Sequence, residues 1–299
     1  MFLISFACAL AMNAQLMNVA SIEKLNVTSD ESNITQAVAL SPQGDYVLLS
    51  TDTKKGLIKW DLATGQSQVL TTDDGTGSDV RITEDGKMVV YGQVSYDKKR
   101  RHEAVKSVDL TTGKSSTLVK PTRNLQGVAL DGSTVTTITQ GKMKKHQLKG
   151  KSTSSSHPVL TRHHLKIYVT RDGVTTQLAP NGADERYIWA SLSPDGSKVL
   201  YYVSGYGAFV CDIDGGNVIS MGNLTAPKWW DNNTIVGMNE TDDEYSIIAS
   251  SIVARTLDGQ EQVLTGDDVV ATYPLPSYQA GKIVFSTPDG KVYLINVTQ

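Results

Sequence analysis

The sequence predicts an all-β protein, a six-bladed β-propeller of four-stranded antiparallel blades that is closed by an N-terminal strand in the last blade. Short apolar strands alternate with Gly, Asp and Asn turns along the whole chain, and no stretch sustains the 3.6-residue period of an amphipathic helix. One turn recurs six times. Between its copies the strands fall into sets of four that repeat at roughly 40 to 50 residues, which is the period of a propeller blade.

The recurring turn joins the first and second strands of each predicted blade. Its copies lie at 41–44, 83–86, 129–132 and 193–196, with weaker copies at 230–233 and 277–281. A strand rich in β-branched and aromatic residues follows each copy, as at 46–50 and 199–202. Six copies predict six blades, and they argue against the alternative of two packed sandwich sheets.

The two ends of the chain are predicted to complete one blade together. The sixth repeat stops after its third strand at 291–296, whereas 20–25 has the pattern of a fourth strand and precedes the first repeat. Pairing of these two segments would close the ring and remove exposed sheet edges. The sequence therefore predicts a single propeller domain at 20–299.

The third repeat is longer than a blade requires. Its turn at Gly132 lies 64 residues before the next turn at Gly196, and the surplus at about 141–157 is rich in Lys and Ser. Polar segments of this kind run over protein surfaces. We therefore expect a surface insertion in blade three.

The first 14 residues resemble a secretory signal peptide that is cleaved near Ala14, because an apolar run ends in small residues. The alternative is a short buried N-terminal strand. A signal peptide predicts a periplasmic or secreted protein. Cys211 would then be the only thiol left, and its apolar neighbours at 208–210 predict a buried packing residue rather than a nucleophile.

Two motifs in one repeat carry a family resemblance. Ser-Pro-Asp-Gly at 193–196 is followed by Asp-Ile-Asp-Gly at 212–215, and Trp60-Asp61 copies the Trp-Asp ending of WD blades. With these residues the chain resembles the TolB-like, WD-related periplasmic six-bladed β-propellers. The resemblance covers the chain from about Ala20 onward. It implies a propeller architecture and says little about activity.

The sequence predicts no catalytic residue, no cofactor and no metal. It contains no Gly-x-Ser-x-Gly, His-Glu-x-x-His, P-loop or dinucleotide-binding pattern. Four histidines fall close together in sequence, at His146, His157, His163 and His164. Adjacent strand residues point to opposite faces of a sheet, so His163 and His164 are not expected to face one ion.

Charge is distributed unevenly along the chain. The segment 98–166 carries a net charge of +12 and the remaining residues carry −15, which together give the overall −3. Such separation steers anionic partners toward one side, although solvated surface loops are an equal alternative. Head-to-tail self-association is a further possibility. Nucleic acid is not an expected partner. The predicted electrostatic patch comprises Lys98, Lys99, Arg100, Arg101, Lys142, Lys144 and Lys145.

The loops that enter the innermost strands should converge on a funnel mouth at the propeller axis. By register, the residues expected there are Gln36, Asp79, Asn124, Arg186, Tyr187, Trp189, Lys228 and Tyr273. Aromatic and charged groups at one opening suit recognition of a protein or glycan partner. Trp229 is expected instead to pack between blades.

These observations predict a non-enzymatic periplasmic or cell-surface binding propeller, with the basic patch steering anionic partners to the mouth. The alternative is a channel-centred enzyme, a polysaccharide lyase or glycan hydrolase. Such an enzyme needs acid and base groups near one point. The candidates for these groups are Asp79, Arg81, Arg186 and Lys228.

Overall fold

The computed structural model describes residues 16–27, 35–148 and 157–298. Within these ranges the chain forms 26 β-strands and one short 3-10 helix (Thr76–Ser78). The strands form seven antiparallel sheets, so the predicted β-propeller is confirmed and the predicted count of six blades is wrong. No helix in the described ranges is long and apolar enough to cross a bilayer.

Strand β1 (Asn18–Lys24) precedes the first blade. Blade 1 contains β2 (Thr35–Leu40), β3 (Tyr46–Thr51), β4 (Leu57–Asp61) and β5 (Ser67–Thr71). Blade 2 contains β6 (Val80–Ile82), β7 (Met88–Asp97), β8 (Arg100–Asp109) and β9 (Ser115–Thr122). Blade 3 contains β10 (Leu125–Asp131), β11 (Thr134–Thr139) and β12 (Lys142–Gln147), and blade 4 contains β13 (Val159–His163), β14 (Lys166–Arg171) and β15 (Val174–Leu178).

Blade 5 contains β16 (Tyr187–Leu192), β17 (Lys198–Val203), β18 (Gly207–Asp212) and β19 (Ile219–Gly222). Blade 6 contains β20 (Thr225–Trp229), β21 (Thr234–Asp242), β22 (Ile247–Thr256) and β23 (Glu261–Val263). Blade 7 contains β24 (Thr272–Ser277), β25 (Lys282–Ser286) and β26 (Val292–Thr298), with β1 as its fourth strand. The innermost strands are β2, β6, β10, β13, β16, β20 and β24.

The recurring turn has the same internal bonding in different blades. The Thr83 hydroxyl donates to Asp85 over 2.6 Å, and the Ser193 hydroxyl donates to Asp195 over 2.7 Å. These hydroxyls are the main reason that the pKa of Asp85 and of Asp195 is lowered. Gly196 closes the turn at φ 70°, which only glycine adopts without strain. The turn is therefore a structural unit of the blade.

The predicted ring closure is confirmed. β1 pairs with β26 in antiparallel register from Asn18 opposite Thr298 to Lys24 opposite Tyr293. Met17, just before β1, is 3% exposed and belongs to the apolar cluster between blades 6 and 7. The first described residues thus join the last blade through both backbone pairing and side-chain packing.

The second strand of a blade is apolar on both faces because it lies between two neighbouring blades. On β17, Leu200 packs with Ile235 of blade 6, whereas Tyr201 packs with Ile167 of blade 4. Cys211 is fully buried in the second of these clusters, as the sequence predicted. Burial raises the pKa of its thiol to about 12, so the thiol stays neutral at physiological pH.

The predicted long third blade is in fact two blades. Within the predicted insertion at 141–157, Lys142–Gln147 forms β12, a regular strand paired with β11. The prediction of an insertion is therefore wrong for this part of the segment. The remainder, 149–156, lies outside the described residues. Residues 157 and 158 lead directly into β13, the inner strand of blade 4.

Strand β13 runs in the opposite direction to β10 and β16. A Cβ on Gly127 would lie 2.6 Å from the Thr161 side chain, and His157 Nδ1 lies 3.7 Å from Asp131 Oδ1. As residue numbers increase along β10, the residues of β13 that lie beside them decrease in number, so the two strands are antiparallel. A Cβ on Gly196, in the turn after β16, would lie 3.4 Å from His157. The reversal follows because blade 3 has three strands among the described residues, so the chain leaves it at the end opposite to where it entered.

Candidate functional site at the mouth of the channel

Six inner strands begin at one end of the channel, which we call the mouth face; β13 ends there. Two adjoining cavities open at this face, with volumes of about 470 and 550 Å³. They share Ser78, Trp189 and Lys228, so they are two parts of one funnel. We call the residues of this funnel used below the mouth site: Gln36, Lys54, Asp79, Arg81, Arg162, Trp189, Lys228 and Tyr273.

A left-handed backbone recurs at one position of three neighbouring inner strands. Trp189, Ala226 and Tyr273 have φ of 50°, 48° and 52°. The pairing register with the second strand shifts at each of these places, which identifies β-bulges. A left-handed conformation costs a non-glycine residue about 1–2 kcal/mol. Strain of this kind is concentrated at functional sites, and here it accompanies two large aromatic side chains in the funnel.

The two aromatic side chains differ in their support. The Trp189 ring meets the Tyr202 ring edge to face, with centroids 5.2 Å apart. Tyr273 is 43% exposed, and its backbone N–H contacts Met238 Sδ at 3.3 Å. Burial, and next the charge of Glu240, raises the pKa of the Tyr273 hydroxyl. Both residues line the funnel, and each combines an apolar ring with one polar group.

Lys228 is the central cation of the site. Burial lowers the pKa of its ammonium group, and the nearby Arg81 lowers it further, while Asp79 acts in the opposite direction. Asp79 is already engaged, because its Oδ2 lies 2.6 Å from Arg81 Nη1. Arg81 Nη2 also donates to the carbonyl oxygen of Val128 over 2.8 Å. Within the described ranges, no hydrogen bond or ion pair satisfies the Lys228 ammonium.

Two further cations complete the electrostatics. Arg162 lines the same cavity from β13, and it has no ion pair within the part of the chain that the structure describes. Lys54 donates to Gln36 Oε1 over 2.7 Å, and burial lowers its pKa. Arg101 and Glu103, which also line the cavity, pair with each other over 2.7 Å. The positive charge of the remaining lining residues exceeds that of the acidic residues Asp52 and Asp79.

Five of the eight residues expected at the mouth line these cavities: Gln36, Asp79, Trp189, Lys228 and Tyr273. Asn124 and Arg186 lie at the mouth ends of their strands but are not among the lining residues. Tyr187 was placed wrongly, since it is fully buried and its hydroxyl donates to the carbonyl oxygen of Gly182 over 2.8 Å. Lys54 and Arg162 are lining residues that the sequence analysis missed.

Trp229 packs between blades 5 and 6, as expected. Its side chain contacts the apolar cluster of these blades, and its indole N–H donates to the carbonyl oxygen of Ser191 over 3.4 Å. His163 and His164 are not both on a regular strand, as the sequence argument assumed. His164 lies in the turn after β13 with φ 49°, and the two imidazole rings stack with centroids 3.8 Å apart.

The predicted electrostatic patch occupies two separate places. Lys98 and Lys99 form the tip of the β7–β8 hairpin, and Arg100 and Arg101 begin β8. Lys99, Arg100 and Arg101 line a small cavity together with Arg123. The other three residues, Lys142, Lys144 and Lys145, are exposed on β12, the outer strand of blade 3.

The channel continues beyond the mouth. A third cavity of about 460 Å³ shares Arg81, Val128, Leu160 and Ala190 with the mouth cavity. At its far end lie Asp131 and His157. In its wall, Ser191 Oγ is buried and has no hydrogen-bond partner within the described ranges. The funnel is thus continuous with a passage toward the opposite face.

The fold and this site define a β-propeller of seven blades with a cationic, aromatic-lined mouth. No protein-family model and no curated protein matches the chain. Among solved structures, a chain of the mitotic checkpoint complex is similar over 100% of both chains, with a TM-score of 0.63 and 10% identity.

A candidate TolB from Agrobacterium tumefaciens is similar over 93% of this chain and 97% of its own, with a TM-score of 0.55 and 17% identity. An oligogalacturonate lyase in complex with manganese reaches a TM-score of 0.47 at 17% identity, over 87% of this chain and 76% of its own. At these identities the likeness shows the propeller fold alone.

Proposed function

We propose that this chain is a non-enzymatic binding propeller that recognises a protein or glycan partner at its mouth through an anionic group of that partner. The observation that carries the proposal is the convergence of Lys228 and Arg162, neither with an ion-pair partner in the described ranges, beside the Trp189 ring. A carboxylate, sulfate or phosphate group would offset the cost of holding Lys228 in a partly buried place. The aromatic ring would pack against the apolar part of the same partner.

The shape of the inner strands supports recognition at this place. The bulge at Trp189 and the contact of its ring with Tyr202 hold this aromatic group in place before a partner arrives, so little of its side-chain freedom is lost on binding. The sites lie on strands rather than on long loops, which keeps their spacing constant.

Approach of the partner is proposed to depend on the basic surface. The lysines of β12 and the tip of the β7–β8 hairpin both lie on the side of blades 2 and 3. An anionic partner would be attracted to this side before it reaches the mouth. We also propose export to the periplasm or cell surface. The signal peptide on which that rests, at 1–14, lies outside the described residues.

The test is capture of partners from a periplasmic extract on immobilised protein at low and high salt. Lys228→Met should abolish capture, because it removes the ammonium while keeping the length of the side chain. Lys114→Met, in an exposed turn at the opposite face, is the matched control and should capture normally. Equal capture by both variants would refute the mouth as the binding site.

A second measurement isolates steering. Reversal of Lys142, Lys144 and Lys145 to Glu should weaken capture and flatten its dependence on salt, because the long-range attraction is screened at high ionic strength. Unchanged capture with an unchanged salt dependence would remove the steering role of β12 and leave recognition at the mouth in place.

The second candidate is a channel-centred lyase or glycan hydrolase. It is favoured by one observation, that the Asp79–Arg81 pair and the pKa-lowered Lys228 lie at one cavity. A lysine with a lowered pKa can act as a general base. Incubation with acidic oligosaccharides distinguishes the candidates. Unsaturated products or new reducing ends that form with the wild type but not with Lys228→Met would establish the enzyme. If the wild type forms neither, the binding function is retained.

A further inference from the structure

Two hairpins rise above the mouth face. The middle strands of blade 2 pair over ten positions, from Met88 opposite Asp109 to Asp97 opposite Arg100. The middle strands of blade 6 pair from Thr234 to Asp242. In both blades the inner strand ends its pairing well below the tip, at Tyr91 and Met238. The hairpin of blade 2 thus extends six residues beyond the inner strand and that of blade 6 four residues, roughly 20 and 13 Å at the rise of a β-strand.

The hairpin of blade 2 is held upright by its neighbours. The Val94 backbone N–H donates to the carbonyl oxygen of Asp74 over 2.8 Å. The Asp73 carboxylate accepts from Gln93 over 3.0 Å and from Lys106 over 2.7 Å. A Cβ on Gly75 would lie 2.4 Å from Val94, so the loop before β6 presses closely against the hairpin. The lower half of this hairpin is therefore fixed against the loop before β6.

The tip of the blade 6 hairpin is also ordered by its own bonds. The Asp243 carboxylate accepts from the backbone N–H groups of Tyr245 over 3.1 Å and of Ser246 over 2.8 Å. The Asp242 carboxylate accepts from the N–H of Glu244 over 3.0 Å. These bonds lower the pKa of Asp243, which keeps it charged at neutral pH.

The two tips carry opposite charge. The basic hairpin (97–101) bears Lys98, Lys99, Arg100 and Arg101 against one acidic residue, Asp97, and Arg101 is paired with Glu103 over 2.7 Å. The acidic hairpin (239–250) bears Glu240, Asp242, Asp243 and Glu244, and it contains no Lys or Arg.

An exposed tyrosine accompanies each group of charges. Tyr96, just before the basic hairpin, is 70% exposed, and Tyr245 on the acidic hairpin is 92% exposed. Exposed tyrosines beside charged groups are typical of protein contact surfaces.

Within one molecule these two hairpins face each other across the ring and cannot meet. Their blades are three apart in one direction and four in the other, which places the tips on nearly opposite sides of the mouth. A two-fold axis that lies in the plane of the mouth face and passes midway between the blades exchanges the two positions. It carries blade 2 of one copy onto blade 6 of the other, and blade 6 onto blade 2.

We propose that two copies of this chain associate mouth to mouth about such a two-fold axis, with the basic hairpin of each copy against the acidic hairpin of the other. Both contacts are the same, as an isologous interface requires. Tyr96 of one copy then lies near Tyr245 of the other. An acidic glycan fits this rim less well, because it would be repelled by the acidic hairpin.

The association covers both mouth sites. A partner at the mouth and a second copy therefore compete for the same face, and dimer formation would hold the protein in an unoccupied state. This inference does not depend on the identity of the mouth partner, because the residues that test it, Lys98, Lys99 and Arg100 on one hairpin and 242–244 on the other, do not line the mouth cavities, although Arg101 does.

Charge exchange between the hairpins tests the proposal. The wild-type protein should form a dimer in sedimentation velocity experiments at low salt, and the dimer should weaken as salt rises. Variant A, D242K/D243K/E244K, has two basic hairpins, and variant B, K98E/K99E/R100E, has two acidic ones. Each alone should show a dimer dissociation constant raised at least tenfold. An equimolar mixture of A and B should recover a dimer of one A and one B.

Several outcomes would overturn the proposal. These are a wild-type protein that stays monomeric at all concentrations, reversed variants that still dimerise as the wild type does, and a mixture that stays monomeric. Open-ended larger species would indicate head-to-tail contacts instead. The control K87E/K114E/K145E changes the net charge as much as variant B but replaces residues away from the mouth ends of the strands, so it should dimerise normally. Circular dichroism confirms that each variant is folded.

Discussion

The left-handed bulge at Trp189 predicts that glycine is more stable than alanine at this position. We compare Trp189→Gly with Trp189→Ala. Both variants lose the ring and its edge-to-face contact with Tyr202, which is 5.2 Å between centroids in the wild type. They differ in the backbone alone, because φ at this residue is 50° and alanine keeps the strain that glycine releases.

The magnitude follows from two opposing contributions. Release of the left-handed conformation stabilises the glycine variant by about 1–2 kcal/mol relative to alanine. The greater freedom of glycine in the unfolded chain costs it about 0.4–1 kcal/mol. We therefore expect Trp189→Gly to exceed Trp189→Ala in unfolding free energy by roughly 0.5–1 kcal/mol, the reverse of the usual order. Both variants should lose partner capture equally, since neither has the indole ring.

Urea denaturation followed by far-UV circular dichroism measures this difference without relying on tryptophan fluorescence. The matched control is Ala190→Gly, one residue further along the same bulge, where φ is not positive. There glycine should be the less stable residue by about 0.5–1 kcal/mol. A Trp189→Ala variant as stable as Trp189→Gly would refute strain at the bulge.

Three further changes test other parts of the structure. Burial lowers the pKa of Lys228, so between that lowered value and about 10.4 the folded protein binds fewer protons than the unfolded chain. The unfolding free energy of the wild type should therefore rise with pH across this window relative to that of Lys228→Met. Urea midpoints of the two proteins that change in the same way with pH would contradict this. Gly127→Val should destabilise by about 1–3 kcal/mol, because a Cβ there would lie 2.6 Å from Thr161 Cγ2 and 2.7 Å from its Cβ; adding Thr161→Gly, which removes both atoms, should restore part of the loss, and no rescue would argue against the contact between β10 and β13. Removal of residues 1–24 should lower the melting temperature by several degrees, since it deletes the strand paired with β26, and an unchanged melting curve would show that β1 is dispensable.

The sequence predicted the blade repeat because its turn is a local signal, and it predicted the closure because the strands at the two ends of the chain complement each other. The Ser-Pro-Asp-Gly turn is stabilised by its own side chains, such as Ser193 bonded to Asp195, so it can be recognised without tertiary information. The pairing of β1 with β26 followed from a missing strand at one end of the chain and a spare strand at the other.

The blade count failed because of the direction of β13. In a blade that runs backward, the turn between its first and second strands lies at the mouth face instead of the opposite face. The tight turn at His164 and Leu165, both with positive φ, replaces the Asp-Gly turn there. The repeat motif was thus absent at the seventh blade, and two blades were counted as one blade with an insertion.

The mouth residues were predicted in part, because strand alternation is interrupted at the bulges. Tyr187 and Trp189 are two residues apart, so regular alternation places them on one face. The register shift between Ile188 and Ser191 separates them, and Tyr187 packs in the core while Trp189 lines the funnel. Arg162 was missed for a related reason, since it reaches the mouth only because its strand is reversed.

The reversed inner strand also restricts how this ring can change in length. A blade with an odd number of strands ends at the face opposite to the one where it began. A second such blade directly after it returns the chain to the mouth face. If blade 3 alone were replaced by a four-stranded blade, the strands of blade 4 would run in the opposite direction to the one they have now. Blades 3 and 4 would therefore have to be gained, lost or exchanged together, whereas a four-stranded blade formed by one continuous segment can be exchanged by itself.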